Sequence, residues 1–344
     1  MELRAWPDKL PTKNPFKIST GTMTAAEVVF VELRHAGVAG HGEAAPSLRV
    51  TGETPAGVLA FLDAVRGEVA AWDPEEWRAD LDGLAGRATG NSAAKAALEM
   101  ALLDLVGQRE RKAVHALLGL KPATRPTSAT VVLDAPEAMA REATSHAEQG
   151  FTHLKLKLGE PKRDLARVRA VRDAVPGATL RCDANTAWTK QQGLRLVRGL
   201  DKLEVELLEQ PVPRGRWHDM AAIAKAAELP VLADEDVLGL EDARWLAAQK
   251  YADGFVLKMA KCGGPLQGKQ MLDLARRSGL AVMVGCMVES SLGISAAAQL
   301  LARVRWADLD GAWLLAQDPW RGAQLRRGEI ATPRAFGLGA APAR

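Results

Sequence analysis

From about residue 128 the chain alternates between short apolar runs and longer segments whose apolar residues recur at helical spacing. The runs fall at 129–133, 153–158, 179–182, 205–208, 231–233, 254–257 and 281–284. Between them lie stretches such as 163–175, where Leu165, Val168 and Val171 share one helical face. Strands alternating with helices predict a parallel sheet, and seven of them, with an eighth expected at 309–313, predict a barrel. Upstream of residue 120 this rhythm is absent. Segment 27–34 is rich in β-branched and aromatic residues and is followed by Gly37 and Gly40, which reads as a strand entering a turn within a meander. Segments 54–72, 74–84 and 91–108 read as helices, with Pro74 and Asn91 as start signals. The fold class is therefore α/β: an α+β unit over 1–120, a (β/α) barrel over 121–319, and a loop-rich 320–344 expected to pack back on the first unit.

Composition narrows the function classes. A chain of 344 residues can bury a large core. Lys and Arg total 45 against 42 Asp and Glu, with no cationic tail or basic block, so no nucleic-acid partner is expected. Cys182, Cys262 and Cys286 lie far apart without a Cys-x-x-Cys pair, which argues against a zinc site or disulfide framework and for a reducing, cytoplasmic setting. The first residues are polar and proline-broken, unlike a secretory signal, and the longest apolar run, 280–288, is nine residues. That is well short of the roughly 20 needed to span a bilayer, so no membrane role is expected.

One spacing carries chemistry. Lys157, Asp183, Glu209, Asp234 and Lys258 follow one another at intervals of 26, 26, 25 and 24 residues. A strand of about 5 residues, a helix of about 11 and two short connections give this repeat, so each residue would end one strand of the array. Strand C-termini of a barrel converge on one mouth, which would gather three carboxylates and two lysines in a single pocket. A lone acid at a strand end serves as readily as a helix N-cap. Three in phase instead offer the all-oxygen donor set of a hard divalent ion such as Mg²⁺. Lys155 and Lys157, two apart on a strand, face the same way, here inward. A cation and neighbouring lysines would lower the pKa of such an amine and let it serve as a base. Together these groups suit removal of a proton next to a carboxylate, the Lys-plus-Mg²⁺ pattern that general catalytic principles assign to enolase-superfamily sites.

At the level of motifs, Lys155-Leu156-Lys157, Asp183-Ala184-Asn185, Glu209-Gln210-Pro211, Ala233-Asp234-Glu235 and the Lys258–Gly264 stretch resemble the muconate-lactonizing-enzyme subgroup of the enolase superfamily. The likeness covers nearly the whole chain and implies a modified (β/α)7β barrel beneath an N-terminal α+β capping domain. The Gly40-His41-Gly42-Glu43-Ala44 stretch and Pro46 resemble that capping domain. Gly285-Cys286-Met287-Val288-Glu289-Ser290, followed by Asp308-Leu309-Asp310-Gly311, is similar to the dipeptide epimerases.

The resemblance implies that Asp183, Glu209 and Asp234 bind Mg²⁺, that the C-terminal carboxylate of an L,L-dipeptide coordinates it, and that Lys157 and Lys258 are an opposed acid/base pair. The implied reaction is epimerisation at the C-terminal Cα by 1,1-proton transfer through a metal-stabilised enolate. Lys155 would support the substrate carboxylate, Glu289 would orient nearby groups, and Asp308 and Asp310 would hold the free ammonium. Asn185 and Glu235 would steady the ligands from outside. The implied partners are a small-molecule dipeptide and further copies of the chain in a homo-oligomer.

Other readings stay open: an o-succinylbenzoate synthase or muconate-type cycloisomerase on the same metal and lysines, and a catalytically inactive binding or scaffold protein on the same barrel. Side-chain preference is open too. Some members acting on an acidic second residue carry an arginine in the first capping loop; Ser19–Thr24 has none, although Lys17, Arg34 and Arg49 lie nearby in sequence. The six histidines show no metal spacing and read as structural. Cys286 and Met287 read as apolar fillers at the pocket rim.

Overall fold

The computed structural model describes residues 1–19, 21–87 and 90–343. Three long strands open the chain as an antiparallel sheet in the order β1 (Glu2–Ile18), β2 (Gly21–His35), β3 (Val38–Ala44). β1 was not foreseen as a strand because Pro7, Pro11 and Pro15 interrupt it. At a sheet edge these residues cost little, since the missing N–H need not face a partner, and the register shift between Pro11 and Phe16 absorbs the irregularity.

Against this sheet packs the helix Ser92–Glu110, which is buried along nearly its whole length. The fit explains the glycines of the Gly-His-Gly-Glu stretch. A Cβ at Gly40 would stand 2.2 Å from the Ala101 carbonyl oxygen, and one at Gly42 would stand 2.0 Å from that of Ala97. Asn91 directly precedes the helix Ser92–Glu110 as expected, whereas Pro74 does not start one. The helix after Pro74 begins at Trp77, and Asn91 sits at φ 54° with no side-chain capping bond. The buried Glu53 carboxylate takes that cap instead, accepting from Ala93 and Ala94 N–H.

Eight parallel strands follow β4 (Thr124–Pro126): β5 (Ala129–Val131), β6 (His153–Lys157), β7 (Thr179–Asp183), β8 (Val205–Glu209), β9 (Val231–Ala233), β10 (Gly254–Leu257), β11 (Ala281–Gly285) and β12 (Trp306–Asp308). They pair in sequence order, and a parallel bridge between Thr127 and Ala307 joins the ends of the row. The result is the expected barrel. Its eighth strand lies earlier than expected, at Trp306–Asp308, and Gly311–Leu314 is a 3-10 turn.

Inside the ring, Leu207, Leu232, Val256, Met283 and Trp306 from β8 to β12 form one apolar layer. From β7 the buried Arg181 reaches across the joint, donating to Ser128 Oγ at 3.0 Å and the Ala307 carbonyl at 2.7 Å while pairing with Glu206 at 2.7 Å. The last segment returns to the N-terminal part, where Leu338 N–H donates to Asp104 at 2.8 Å.

Candidate active site at the barrel mouth

All five residues of the 26-26-25-24 series stand at strand C-termini on one end of the barrel. Lys157, Asp183 and Glu209 close β6, β7 and β8, while Asp234 and Lys258 follow β9 and β10 directly. In a ring of eight, β6 and β10 are four strands apart, so Lys157 and Lys258 approach the centre from opposite sides. The three carboxylates fill the arc between them, and Asp308, closing β12, faces Glu209 of β8 across the mouth. Lys155, buried one layer below Lys157, spans that diameter: its Nζ lies 2.7 Å from Glu209, 2.8 Å from Asp308 and 3.3 Å from Asp183.

Hydrogen bonds fix the remaining groups. Lys157 Nζ donates to Asp183 Oδ2 at 2.7 Å, and Lys258 Nζ to Asp234 Oδ2 at 2.7 Å. Lys261, within the Lys258–Gly264 stretch, is central: its buried amine donates to Asp234 Oδ1 and the Asp234 carbonyl at 2.6 Å and to the Val256 carbonyl at 2.9 Å. Asn185 follows Asp183 with a left-handed backbone, φ 42°, a conformation asparagine tolerates, and donates its side-chain amide to Asp183 Oδ2 at 3.1 Å.

Gln210 holds the next strand end, accepting from Asp234 N–H at 2.8 Å. Asp310 lies just past β12, at the start of the 3-10 turn, and lines the same cavity as Asp308; its carboxylate accepts from Thr130 N–H at 2.7 Å. Glu289 is buried on the loop after β11, and Glu235 lies beside the site with Arg49 3.8 Å away. Nothing in sequence spacing marked Lys261, Gln210 or Thr130, because each lies off the strand-end series.

Electrostatics is governed by burial against crowded charge. Burial alone would lower the Lys155 pKa, but Asp308, Glu209 and Asp183 raise it well above the ordinary lysine value. Lys258 is likewise penalised by burial, yet Asp234 and then Glu209 push it above normal. In both cases a carboxylate faces the amine and favours its charged form. Burial also opposes ionisation of Asp183, Asp234 and Asp308, but adjacent lysines hold each below its ordinary value. Glu209 behaves differently: burial, then Asp183, pushes it up to about 8 despite Lys155. Three carboxylates share one ammonium, and Glu209 is the least well served. The Lys155 contact at 2.7 Å lacks hydrogen-bond geometry, leaving both Glu209 oxygens buried without a hydrogen-bond partner. Asp310 is raised to about 6 by burial and by Asp308.

Among the described residues no three His, Cys, Asp or Glu side chains stand as a ready-made metal cluster. The donor chemistry nevertheless fits a hard divalent cation. Asp183 and Glu209 are paired neighbours on adjacent strands, Asp234 follows the next strand, and unpartnered Glu209 oxygens in a crowd of negative charge call for more positive charge than the lysines supply.

Opposed amines, an intervening arc of carboxylates and a facing acidic pair define a barrel site for proton transfer at carbon. Comparison with known proteins agrees with that class. Residues 138–344 match the enolase C-terminal domain-like family, and residues 1–119 match the mandelate racemase / muconate lactonizing enzyme N-terminal domain. The chain belongs to the mandelate racemase / muconate lactonizing enzyme family of the enolase superfamily.

Among its relatives, the L-Lys-D/L-Arg epimerase of Methylococcus capsulatus is 36% identical over 341 residues, covering 96% of each chain. The substrate-liganded L-Ala-D/L-Glu epimerase of Bacillus subtilis superposes with a TM-score of 0.96 at 30% identity, over 100% of this chain and 99% of that one. The dipeptide epimerase of Enterococcus faecalis, crystallised with Mg and L-Leu-L-Tyr, gives a TM-score of 0.95 at 31% identity over 99% of each chain.

Proposed function

We propose that this chain is a Mg²⁺-dependent dipeptide epimerase that inverts the Cα of the C-terminal residue of an L,L-dipeptide. One observation carries the reading. Lys157 and Lys258 stand on diametrically opposed strands, with carboxylates on the arc between them and Asp308 across from Glu209. Such a mouth fits a zwitterion lying across it, anionic end toward Asp183, Glu209 and Asp234, ammonium end toward Asp308 and Asp310. A dipeptide in that pose presents its C-terminal Cα between the two amines. The magnesium-and-dipeptide complex of the Enterococcus relative supports the assignment.

Asp183, Glu209 and Asp234 would hold the cation, which supplies Lewis-acid stabilisation of the charge that develops on the substrate carboxylate. Lys157 Nζ takes the Cα proton from one face, and Lys258 Nζ delivers a proton to the other; the reverse direction exchanges their roles. Lys155 adds a fixed positive charge beside the substrate carboxylate. Asn185 and Lys261 orient Asp183 and Asp234, and Glu235 and Glu289 shape the field around Lys258. Residues 1–120, with the returning 320–344, act as the cap that closes over the substrate, excluding water from the charge-separated state. An anionic substrate lacking an amine would meet Asp308 and Asp310 unfavourably, which disfavours the cycloisomerase and synthase readings.

Cα hydrogen exchange tests the proposal. With Mg²⁺ in D₂O, L,L-dipeptides are expected to gain deuterium at the C-terminal Cα, detected by mass spectrometry. Lys157→Ala and Lys258→Ala should each stop exchange from a different stereoisomer of the same dipeptide. Silence from every dipeptide, with Mg²⁺ binding demonstrated, would exclude the activity.

A further inference from the structure

A cavity of about 440 Å³ lies between the cap and the barrel mouth, and its two walls differ in chemistry. The barrel wall carries the lysines and carboxylates described above. The cap wall is mostly apolar. On β1 the period of two places Phe16 and Ile18 on one face and sends Lys17 to the other, and across the hairpin Met23 pairs directly with Phe16. Phe16, Ile18 and Met23 line the cavity, together with Leu48 and Val50 from the loop after β3. The Phe16 ring lies 5.9 Å from Lys157 Nζ, against the amine assigned to proton transfer. Leu48 is 73% exposed at the mouth, an apolar side chain left for something to cover.

Two charged cap residues also line this wall among the described residues, and each has a partner already. Glu27 stands 2.9 Å from Lys9, and Arg49 stands 3.8 Å from Glu235. A substrate pinned at its carboxylate, its ammonium and its reacting Cα has one group left to project toward the cap, the side chain of its C-terminal residue. We infer that this subsite, built by Phe16, Ile18, Met23, Leu48 and Val50, selects dipeptides whose epimerised residue is apolar, such as leucine or phenylalanine. The inference rests on the epimerase reading and adds the substrate class. A carboxylate or ammonium entering there would lose water and would have to draw Arg49 or Glu27 away from its existing ion pair, whereas an apolar side chain gains by leaving water.

Wild-type protein with Mg²⁺ is to be compared on L-Ala-L-Leu, L-Ala-L-Phe, L-Ala-L-Glu and L-Ala-L-Lys by Cα deuterium uptake. The leucine and phenylalanine dipeptides are expected to show kcat/KM about 10- to 100-fold above the glutamate and lysine ones. Glutamate or lysine equal or ahead overturns the apolar subsite while leaving the epimerase intact; no uptake from any of the four overturns both. Phe16→Ala should lower kcat/KM for L-Ala-L-Phe about tenfold more than for L-Ala-L-Ala. Equal loss with both removes Phe16 from the subsite and counts against the inference. Calorimetric binding to Lys157→Ala protein, which does not require turnover, should rank the dipeptides in the same order.

Discussion

Glu209 is the residue on which the electrostatics of the mouth turns. It is buried, has no hydrogen-bond partner at either oxygen, and is pushed up to about 8 by burial and Asp183. A divalent cation relieves this strain more fully than Lys155 can, so Glu209→Gln is expected to weaken Mg²⁺ binding by an order of magnitude or more, measured by calorimetry. Undiminished Mg²⁺ binding in that variant would place the ion elsewhere. The same crowding explains what sequence could not supply. Strand-end positions are set by the repeat, so Lys157, Asp183, Glu209, Asp234 and Lys258 were legible as a group. Lys261 was not, because it sits in the short helix Met259–Cys262 and reaches Asp234 by folding back. Thr130 and Gln210 contribute contacts that have no periodic signature at all.

Between elements, buried carboxylates do the joining. Glu43 on β3 accepts from Ser290 N–H at 3.0 Å, from Gly293 N–H at 3.1 Å and from the Ser290 hydroxyl, so the cap sheet holds the N-terminus of the barrel helix Ser291–Ala298. Glu43→Ala strands those donors in a buried joint and is expected to cost about 2–3 kcal/mol by thermal or urea unfolding, with Glu43→Gln costing less because one acceptor survives.

Glu99, on the helix Ser92–Glu110, accepts from the start of the helix Pro265–Ser278 and is raised to about 8, chiefly by burial. A carboxyl whose folded pKa is raised stabilises the fold fully below its unfolded value, near 4.5. That contribution is lost as pH rises through the interval to about 8. Glu99→Gln cannot ionise, so its Tm should gain on wild type as pH rises from 5 to 9. Parallel Tm curves for the two proteins would mean that Glu99 does not titrate there. These joints were invisible in sequence, since a buried Glu on a helix looks like any surface Glu until its partner is placed. The barrel elements themselves were legible to within a residue or two. The eighth was misplaced because Arg305 and Asp308 bracket Trp306-Ala307 and leave no apolar run there, whereas the equally short Val231–Ala233 is apolar throughout.

At the scale of the whole molecule, the barrel must close, and closure depends on its weakest seam. Between β5 and β12 the pairing among described residues is the bridge from Thr127 to Ala307, whereas the other neighbours share a ladder of two or more residue pairs. Arg181 reinforces that seam from inside, its guanidinium tied to Ser128 on one side, the Ala307 carbonyl on the other, and Glu206 on its own flank. Closure also holds β12, and hence Asp308, opposite the carboxylate arc. Arg181→Met keeps the bulk but removes every donor, leaving the Ala307 carbonyl and Ser128 hydroxyl to lose partners in a dry interior. An expected cost of about 2–4 kcal/mol follows for buried polar groups left unpaired, lowering Tm by roughly 4–10 °C. The chemistry should discriminate between two origins of that loss. A seam that loosens lets Asp308 drift from the arc, raising KM for a dipeptide more than it lowers kcat. A merely local packing defect lowers Tm and leaves both kinetic constants unchanged. Unaltered Tm in Arg181→Met would show that the bridge at Thr127 and Ala307, with the Thr130–Asp310 and Leu309–Thr127 hydrogen bonds beside it, closes the barrel without Arg181.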